Sequence, residues 1–158
     1  MSKIIAYLEI EKHSNIKYEY DKKFNKLMVD RVIPYPYFYP YSYGYIPSTL
    51  GKDNDELDIL LITNEKYKND ILIECHIIGG LVMEDEKGMD EKILVVPCNE
   101  YELINDMNSL PKNVLDDIHW FFSNYKSKTP NKWSKVYNFI SKEDAIKLYQ
   151  ESICISQE

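Results

Sequence analysis

Cysteine is scarce in this 158-residue chain, and long apolar segments are missing. The three cysteines, Cys75, Cys98 and Cys154, are odd in number, widely spaced and free of any C-x-x-C pair. This usage predicts unpaired thiols in a reducing, cytoplasmic compartment rather than a disulfide framework. No apolar run approaches the roughly 20 residues that span a bilayer. Met1-Ser2-Lys3 leads straight into a strand-like segment, so no signal peptide is expected either.

Positive charge is also in short supply. Lys and Arg total 19 against 26 Asp and Glu, which gives a formal net charge of −7. Nucleic acids and anionic membranes bind basic surfaces, so the composition argues against both as partners. With 44% hydrophobic and 28% charged residues, the chain can bury a core. Because no linker, repeat or composition shift interrupts it, residues 1–158 are expected to form a single domain.

The residue pattern predicts strands in the first two-thirds of the chain and helices in the last third. Short β-branched and aromatic segments separated by polar turns are typical of strands, and they occur at 4–10, 16–20, 26–33, 57–63, 71–83 and 91–97. Gly79-Gly80 predicts a bulge or sharp bend. Apolar residues recur with helical period from Val114 to Tyr125, and Ser141 with Asp144 resembles a capping box. We therefore expect an α+β, mainly β fold: a closed antiparallel barrel with C-terminal helices packed on it.

Tyrosine occupies every odd position from Tyr35 to Tyr45 within P-Y-P-Y-F-Y-P-Y-S-Y-G-Y-I-P. Alternate side chains of an extended segment share a face, and three early prolines exclude the first part of this run from a central strand. Most of the rings are expected to form a wall that covers the barrel. One or two of the hydroxyl groups are expected to have a separate role, because a wall needs only apolar bulk.

Acidic residues crowd into D-N-D-E-L-D at positions 53–58. An EF-hand loop is excluded, because Asp58 and Asn64 stand where that loop needs Gly and Glu. A solvated loop is the common alternative, but Asp58 lies inside the apolar segment L-D-I-L-L, where a carboxylate needs a partner. A second acidic segment, D-E-K-G-M-D-E-K at 85–92, places Asp85 and Asp90 on either side of a turn at Gly88.

The chemistry of these clusters predicts a hard cation. Carboxylates without a Cys/His constellation favour Mg²⁺ or Mn²⁺ over zinc, and His13, His76 and His119 have no ligand spacing and are expected to be structural or exposed. Glu9, Glu19, Lys17 and Arg31 add acids and bases to the early strands. Acids beside lysine and arginine suit a metal-bound polyanion, which indicates phosphate.

With these two acidic segments and the motifs below, the chain resembles the soluble family I inorganic pyrophosphatases. D-N-D-E-L-D is similar to the family signature D-x-D-P-x-D. The supporting motifs follow in the family's order: I-K-Y-E-Y-D, V-D-R, F-Y-P-x-x-Y-G-Y-I-P, D-E-x-G-x-D-x-K and F-F-x-x-Y-K. The resemblance implies a five-stranded OB-like closed barrel and an enzyme that hydrolyses inorganic diphosphate to two orthophosphates. It also implies Mg²⁺ dependence, with Mn²⁺ as a possible substitute, and direct attack by a metal-bridged water or hydroxide.

The resemblance implies roles for individual residues as well. Asp53, Asp58 and Asp90 match the ligands of the first Mg²⁺, and Asp58 matches the residue that also bridges to a second. Asp85 and Asp90 match the ligands of an ion that arrives with substrate. Glu9 matches a ligand of a fourth ion. Asp55 matches the residue that orients or deprotonates the attacking water. The phosphate ligands correspond to Lys17, Arg31, Tyr43, Lys92, Tyr125 and Lys126. Glu19 and Glu86 match acidic positions behind the direct ligands.

The chain departs from the family pattern at a few positions. Asn54 and Glu56 replace the commoner Gly and Pro of the signature, and Ser42 stands where the family often has Asn. Trp120 stands where bacterial members often carry a His at the interface of a hexamer, and a homo-oligomer is what the resemblance implies. Two other functions remain as alternatives: a non-catalytic OB-fold module that binds nucleic acid through its tyrosines, and a hydrolase of an organic diphosphate. The net charge opposes the first, and nothing in the sequence provides a pocket for a base or sugar.

Overall fold

A ring of five strands forms the centre of the computed structural model, which describes residues 2–156 and, within the last helix, side chains through residue 153. Nine strands and two α-helices occur within these described residues: β1 (Lys3–Ile10), β2 (Ile16–Asp21), β3 (Lys26–Val32), β4 (Ser42–Ile46), β5 (Leu57–Leu61), β6 (Ile71–Asp85), β7 (Gly88–Met89), β8 (Lys92–Pro97), α1 (Lys112–Asn124), β9 (Ser134–Ile140) and α2 (Lys142–Ser156). The predicted α+β, mainly β class is confirmed.

The ring follows the order β1-β4-β5-β8-β6 and closes through pairing of β6 with β1. The expectation that all its strands are antiparallel is wrong at one place, because β5 and β8 run parallel. Strand directions that alternate around a closed ring require an even number of strands, so a ring of five must contain a parallel pair. This pair sets Asp58 beside Lys92 at the strand starts.

β6 is the longest strand, and its pairing is irregular beside Gly79-Gly80, where a bulge or sharp bend is predicted. Its pairing with β8 shifts register between Ile77 and Gly79. A Cβ on Gly79 would lie 2.0 Å from the sulfur of Met107, so a larger residue here would displace that side chain. From Gly80 onward β6 pairs with β9 as well, which extends the sheet past the ring.

Two apolar clusters flank the ring, and each includes one helix. α1 buries Ile118, Phe121 and Phe122 in the first cluster. α2 buries Ala145 in the second. Its start follows the capping pattern, since the backbone N–H of Asp144 donates to Ser141 Oγ at 3.2 Å. The predicted packing of C-terminal helices on the ring is therefore confirmed.

The prediction missed three strands. β7 is a two-residue strand at the turn expected around Gly88, β4 occupies the second half of the tyrosine run, and β9 lies between α1 and α2, in the third of the chain expected to be helical. Tyr39, Tyr41 and Tyr43 are buried in the first apolar cluster and Tyr37 packs against it, whereas Tyr35 is 77% exposed, with its ring 6.3 Å from that of Phe38. The interpretation of the run as a wall therefore holds from Tyr37 to Tyr43 and fails at Tyr35.

Within the described part of the chain, no helix combines the length and apolar character that crossing a bilayer would take. Cys75 and Cys98 are free thiols. The side chain of Cys154, for which an unpaired thiol was also predicted, lies outside the described residues.

Candidate active site

A polar cavity of about 320 Å³ opens at one end of the ring, beneath the separate hairpin that β2 and β3 form. Every residue to which the sequence assigned a role lines this cavity: Glu9, Lys17, Glu19, Arg31, Tyr43, Asp53, Asp55, Asp58, Asp85, Glu86, Asp90, Lys92, Tyr125 and Lys126. Residues that are more than 100 positions apart in sequence therefore meet in one place. The three histidines, all of them described, are not among its lining residues.

Lys92 lies at the base of the cavity and is almost fully buried. Its Nζ donates to Asp58 Oδ2 at 2.9 Å, to Asp90 Oδ2 at 2.8 Å and to the hydroxyl of Tyr43 at 2.6 Å. The Tyr43 hydroxyl in turn donates to Asp58 Oδ2 at 2.7 Å. The parallel register of β5 and β8 brings Asp58 to Lys92, and antiparallel pairing of β4 with β5 brings in Tyr43.

Burial and charge act against each other in this group. Burial raises the pKa of Asp58, and the nearby Asp90 carboxylate raises it further, although Lys92 opposes both. Burial lowers the pKa of Lys92, but Asp58 and Asp90 outweigh it and hold that pKa well above its ordinary value. Lys92 is therefore a permanently charged ammonium between two carboxylates.

A tight turn presents the first acidic segment to the cavity. The backbone N–H of Gly51 donates to the carbonyl of Asp55 at 2.7 Å, and the N–H of Asp55 donates to Asp53 Oδ1 at 3.1 Å. Asn54 has a φ of 70°, in the left-handed region. Asparagine is one of the few residues besides glycine that enters this region readily, which explains why it can stand where the family has Gly. The turn leaves Asp55 exposed at the cavity edge and Asp53 half-buried.

Two further carboxyl groups are perturbed by their surroundings. Burial and the neighbouring Asp90 raise the pKa of Asp53 to about 6. Burial raises the pKa of Glu9 to about 8, and Asp58 adds to this effect, although Glu9 accepts a hydrogen bond from the N–H of Tyr20 at 2.8 Å. Each of these carboxylates would be stabilised by a nearby cation.

The donor set of the cavity fits a hard divalent cation, because it consists of carboxylates with no thiolate or imidazole. Among the described residues, however, no three such side chains already converge on one point that could hold a metal ion. The ammonium group of Lys92 stands between Asp58 and Asp90 instead. Both of these contacts are with Oδ2 atoms, so an ion bound through the same oxygens would compete with the ammonium group of Lys92.

A second buried lysine organises the opposite wall. Lys126, which follows α1, donates to Asp85 Oδ2 at 2.9 Å and to Glu86 at 3.2 Å. Burial raises the pKa of Glu86, but hydrogen bonds from backbone N–H groups, including that of Trp133, and from Lys126 outweigh it and lower that pKa to about 2. Glu86 is therefore an ionised anchor for Lys126.

The hairpin supplies the basic side of the cavity. Lys17 and Arg31 pair across β2 and β3, and Lys17 Nζ contacts Glu19 at 3.0 Å and Asp30 at 2.9 Å. Arg31 Nε and Nη2 are buried, and they lack a hydrogen-bond partner among the described residues. Buried guanidinium nitrogens without acceptors are costly, and their fork matches two oxygens of a phosphate.

The sequence did not identify several cavity residues: Tyr18, Tyr20, Lys22, Asp30, Tyr39, Tyr45, Glu56, Lys87 and Lys132. A signal existed for Asp30, because it lies in the V-D-R motif beside Arg31. Lys22 gave none, since a lysine in a hairpin turn is ordinarily a solvated residue. It contacts Glu56 at 3.3 Å and thus links the hairpin to the first acidic segment, where the family has Pro.

Comparisons with known proteins agree with this arrangement. A family model for inorganic pyrophosphatase matches residues 6–156. The inorganic pyrophosphatase of Helicobacter pylori strain J99 is 44% identical over 154 residues, which cover 95% of this chain and 89% of that protein. The inorganic pyrophosphatase of Nanoarchaeum equitans is 42% identical over 153 residues, which cover 94% of each protein.

Solved structures extend the similarity to three dimensions. The inorganic pyrophosphatase of Helicobacter pylori has a TM-score of 0.96 at 41% identity and covers 99% of this chain and 95% of its own. The enzyme from Thermus thermophilus has a TM-score of 0.95 at 33% identity, with coverage of 99% and 92%. The similarity therefore extends over nearly the full length of these chains.

Proposed function

This chain belongs to the inorganic pyrophosphatase family and hydrolyses inorganic diphosphate, and we propose that the polar cavity at the end of the ring is where the reaction takes place. One observation carries the proposal. A single cavity joins a set of crowded carboxylates to a guanidinium group with two buried nitrogens that have no acceptor among the described residues. A metal-bound diphosphate brings positive charge to the carboxylates and acceptor oxygens to the guanidinium.

The family is metal-dependent in general, and we assign Mg²⁺ to this chain, with Mn²⁺ as a substitute. The ligands proposed are Asp53, Asp58, Asp85, Asp90 and Glu9. Bound there, divalent cations activate water and offset the charge that develops on phosphate. The cavity walls contribute by holding these carboxylates on β1, β5, the turn after Gly51 and the segment between β6 and β8. Several of them lie on or beside rigid strands, which limits how far they can spread apart when empty.

Asp55 is proposed to accept the proton of the attacking water. It lies at the cavity edge, where it can meet solvent, and its backbone N–H is held by Asp53. Because Asp55 is exposed while Asp53 is half-buried, the two carboxylates of one turn suit different tasks. The exposed group can exchange protons with bulk water, and the half-buried one is better placed to ligate.

The phosphate groups are proposed to bind Arg31, Lys17, Lys92, Lys126, Tyr43 and Tyr125. Lys92 is the informative member, because its ammonium is shared between Asp58 and Asp90. If those carboxylates held a cation, Lys92 would be free to contact a phosphate oxygen in the cavity. The same residue would then neutralise the carboxylates in the metal-free site and the substrate in the loaded site.

The test is phosphate release from inorganic diphosphate, measured with Mg²⁺ and with excess chelator. We expect turnover with Mg²⁺ and loss of at least about 100-fold in chelator or in Arg31→Met. The same assay with ADP tests whether the substrate is an organic diphosphate. A salt titration with a labelled oligonucleotide tests whether the chain is a nucleic-acid-binding module. Faster hydrolysis of ADP, or release that chelator leaves intact, would contradict the proposal.

We propose three further properties. Free Cys75 and Cys98 suit a reducing cytoplasm. Residues 1–158 are proposed to act as one domain, and the molecule to form a homo-oligomer, with the bacterial hexamer as the specific form. Trp120 is 50% exposed and its ring lies 5.2 Å from that of Tyr37, so this part of α1 offers aromatic surface for such an interface. Light scattering of the purified protein and of Trp120→Ala tests the assembly.

A further inference from the structure

A salt bridge outside the active-site cavity joins the two acidic segments to each other. Lys52 Nζ lies 2.8 Å from Glu91 Oε1. Lys52 directly precedes Asp53, and Glu91 stands between Asp90 and Lys92. Neither residue lines the active-site cavity. The bridge therefore joins the residue next to Asp53 to the residue next to Asp90. Neither Lys52 nor Glu91 is itself a proposed metal ligand.

The surroundings of the bridge favour a defined geometry. The side chain of Glu91 is only 10% exposed, whereas that of Lys52 is 55% exposed. Both residues line a small cavity behind the acidic segments, together with Leu57, Met89 and Leu148 of α2. A carboxylate that is largely removed from solvent depends on its partner more than a fully exposed one does, so this pair differs from an ordinary surface ion pair.

The bridge opposes a repulsion. Asp53 and Asp90 are like charges that must approach each other to ligate one ion. Asp53 sits in a turn whose residues 52, 54 and 55 are exposed, so apolar packing restrains it little. Asp90 is buried, between β7 and β8. A salt bridge between the residue next to Asp53 and the residue next to Asp90 counteracts the separation of the two aspartates.

We propose that Lys52 and Glu91 form a positioning pair that holds Asp53 beside Asp90 and so sets the affinity of the site for Mg²⁺. The inference rests on the proposed function in that it takes Asp53 and Asp90 as ligands of one ion. It names no new ligand, since the pair acts through the backbone of its neighbours.

Single substitutions distinguish positioning from simple electrostatics. Lys52→Met removes a positive charge, which by electrostatics alone would tighten cation binding. Glu91→Gln removes a negative charge, which by electrostatics alone would weaken it. Positioning predicts that both variants bind Mg²⁺ more weakly, by roughly tenfold, as found when partners of metal ligands are removed elsewhere. The exchanged double variant, Lys52→Glu with Glu91→Lys, is expected to regain most of the affinity.

Calorimetric titration of Mg²⁺ into the metal-stripped full chain provides the measurement, without any substrate. Amide exchange at Gly51 and Asn54, whose N–H groups hold the turn, is expected to accelerate in the single variants. The matched control is Lys3→Met, which breaks the Lys3–Glu74 bridge of the same 2.8 Å length between β1 and β6 and is expected to leave Mg²⁺ binding unchanged.

Opposite effects of Lys52→Met and Glu91→Gln on the Mg²⁺ dissociation constant would overturn the proposal, as would unchanged binding in both or a double variant that regains none. Diphosphate turnover by the wild-type protein is measured in parallel. A wild type that binds Mg²⁺ but leaves diphosphate intact refutes the proposed function. The ratios of the variant and wild-type Mg²⁺ dissociation constants still test the role of Lys52 and Glu91. A wild type that binds no Mg²⁺ refutes both.

Discussion

Lys92 and Asp58 face each other across the parallel strand pair of the ring, with Lys92 Nζ 2.9 Å from Asp58 Oδ2. The contact is buried and shared with Asp90. Removing one partner of a buried ionic group leaves uncompensated charge, which is more costly than losing an exposed pair. Lys92 therefore has a structural effect that is separable from any role in phosphate binding.

We expect Lys92→Met to lower the free energy of unfolding in chelator by about 3–5 kcal/mol, because Asp58 and Asp90 lose their shared cation. Millimolar Mg²⁺ should restore part of the loss by binding the same carboxylates. Urea denaturation with chelator and with Mg²⁺ measures both effects. Lys3→Met is the control for removal of a surface lysine, and a variant as stable as wild type in chelator would contradict the expectation.

Most strands of the ring and most residues that line the cavity could be predicted, because the sequence patterns that indicate them are local. Asp58 in L-D-I-L-L and Gly79-Gly80 in β6 each break a regular pattern, and such breaks indicate a partner or a bend. The parallel pairing of β5 with β8 was not predicted, because strand direction depends on how the ring closes. β9 was missed because it lies between α1 and α2, in the third of the chain whose apolar spacing indicates helices.

The contacts within the cavity were even less accessible to sequence reasoning. No spacing indicates that Lys92 lies between Asp58 and Asp90, or that Lys22 reaches Glu56. These pairs join segments that are distant in sequence, and only the assembled ring brings them together. Residue type and motif could identify which groups line the cavity. They could not indicate which of those groups satisfy one another.

Asp55→Asn is expected to cut diphosphate turnover by roughly 10²–10⁴, because an amide cannot accept the proton of the attacking water. Mg²⁺ affinity should change little, since Asp55 is exposed and the turn is held by its backbone N–H rather than its side chain. Steady-state turnover and calorimetric Mg²⁺ titration together give the answer. Near-normal turnover would remove Asp55 from the proposed chemistry, and a large loss of Mg²⁺ binding would make it a ligand instead.

Glu9 should make metal binding depend on pH. Its pKa is raised to about 8, chiefly by burial. Near pH 7 the group is mostly protonated, so cation binding is expected to release about one proton from it. The charged groups that act on it are Asp58 and Glu19, which raise the pKa, and Lys17, which lowers it. Calorimetry in two buffers of different ionisation enthalpy counts the protons, and Glu9→Gln should release fewer. An equal count in that variant would contradict the assignment.

The same shift has a consequence for stability without metal. A carboxyl group with a pKa raised on folding contributes stability that is fully present below its ordinary value of 4.5 and is lost as pH rises through about 8. In chelator, the contribution of Glu9 should therefore decline across this range, and Glu9→Gln should flatten the curve. Denaturation midpoints measured between pH 5 and pH 8.5 provide the test. Parallel curves for the two proteins would argue against a perturbed Glu9.

Tyr43→Phe isolates one hydroxyl group from the tyrosine run. That hydroxyl contacts both Lys92 and Asp58, whereas Tyr35 is largely exposed. A hydrogen bond to a charged group contributes about 1.5–3 kcal/mol, so turnover should fall tenfold or somewhat more. Tyr35→Phe is the matched control and should retain wild-type turnover. Equal activity of the two variants would reduce Tyr43 to a packing residue.

Arg31 is the chain's single arginine. Because two of its buried nitrogens have no hydrogen-bond partner among the described residues, its replacement should preserve or raise stability and impair function. Buried donors without acceptors cost about 1–3 kcal/mol, so Arg31→Met should fold at least as stably as wild type in chelator. Without the guanidinium, binding of diphosphate should weaken greatly. Arg31→Lys keeps the charge but loses the fork that can hold two oxygens, so it should recover only part of kcat/KM.

Thermal unfolding of the Arg31 variants, with and without diphosphate in chelator, separates the two effects. Diphosphate should raise the Tm of wild type and should not raise that of Arg31→Met, because a ligand stabilises only the state that binds it. Lys26→Met is a suitable control, since Lys26 lies on the same strand, is exposed and is not among the residues that line the cavity. A marked loss of stability in Arg31→Met would mean that the guanidinium is held by the protein itself. Its unpartnered nitrogens would then no longer support a phosphate site.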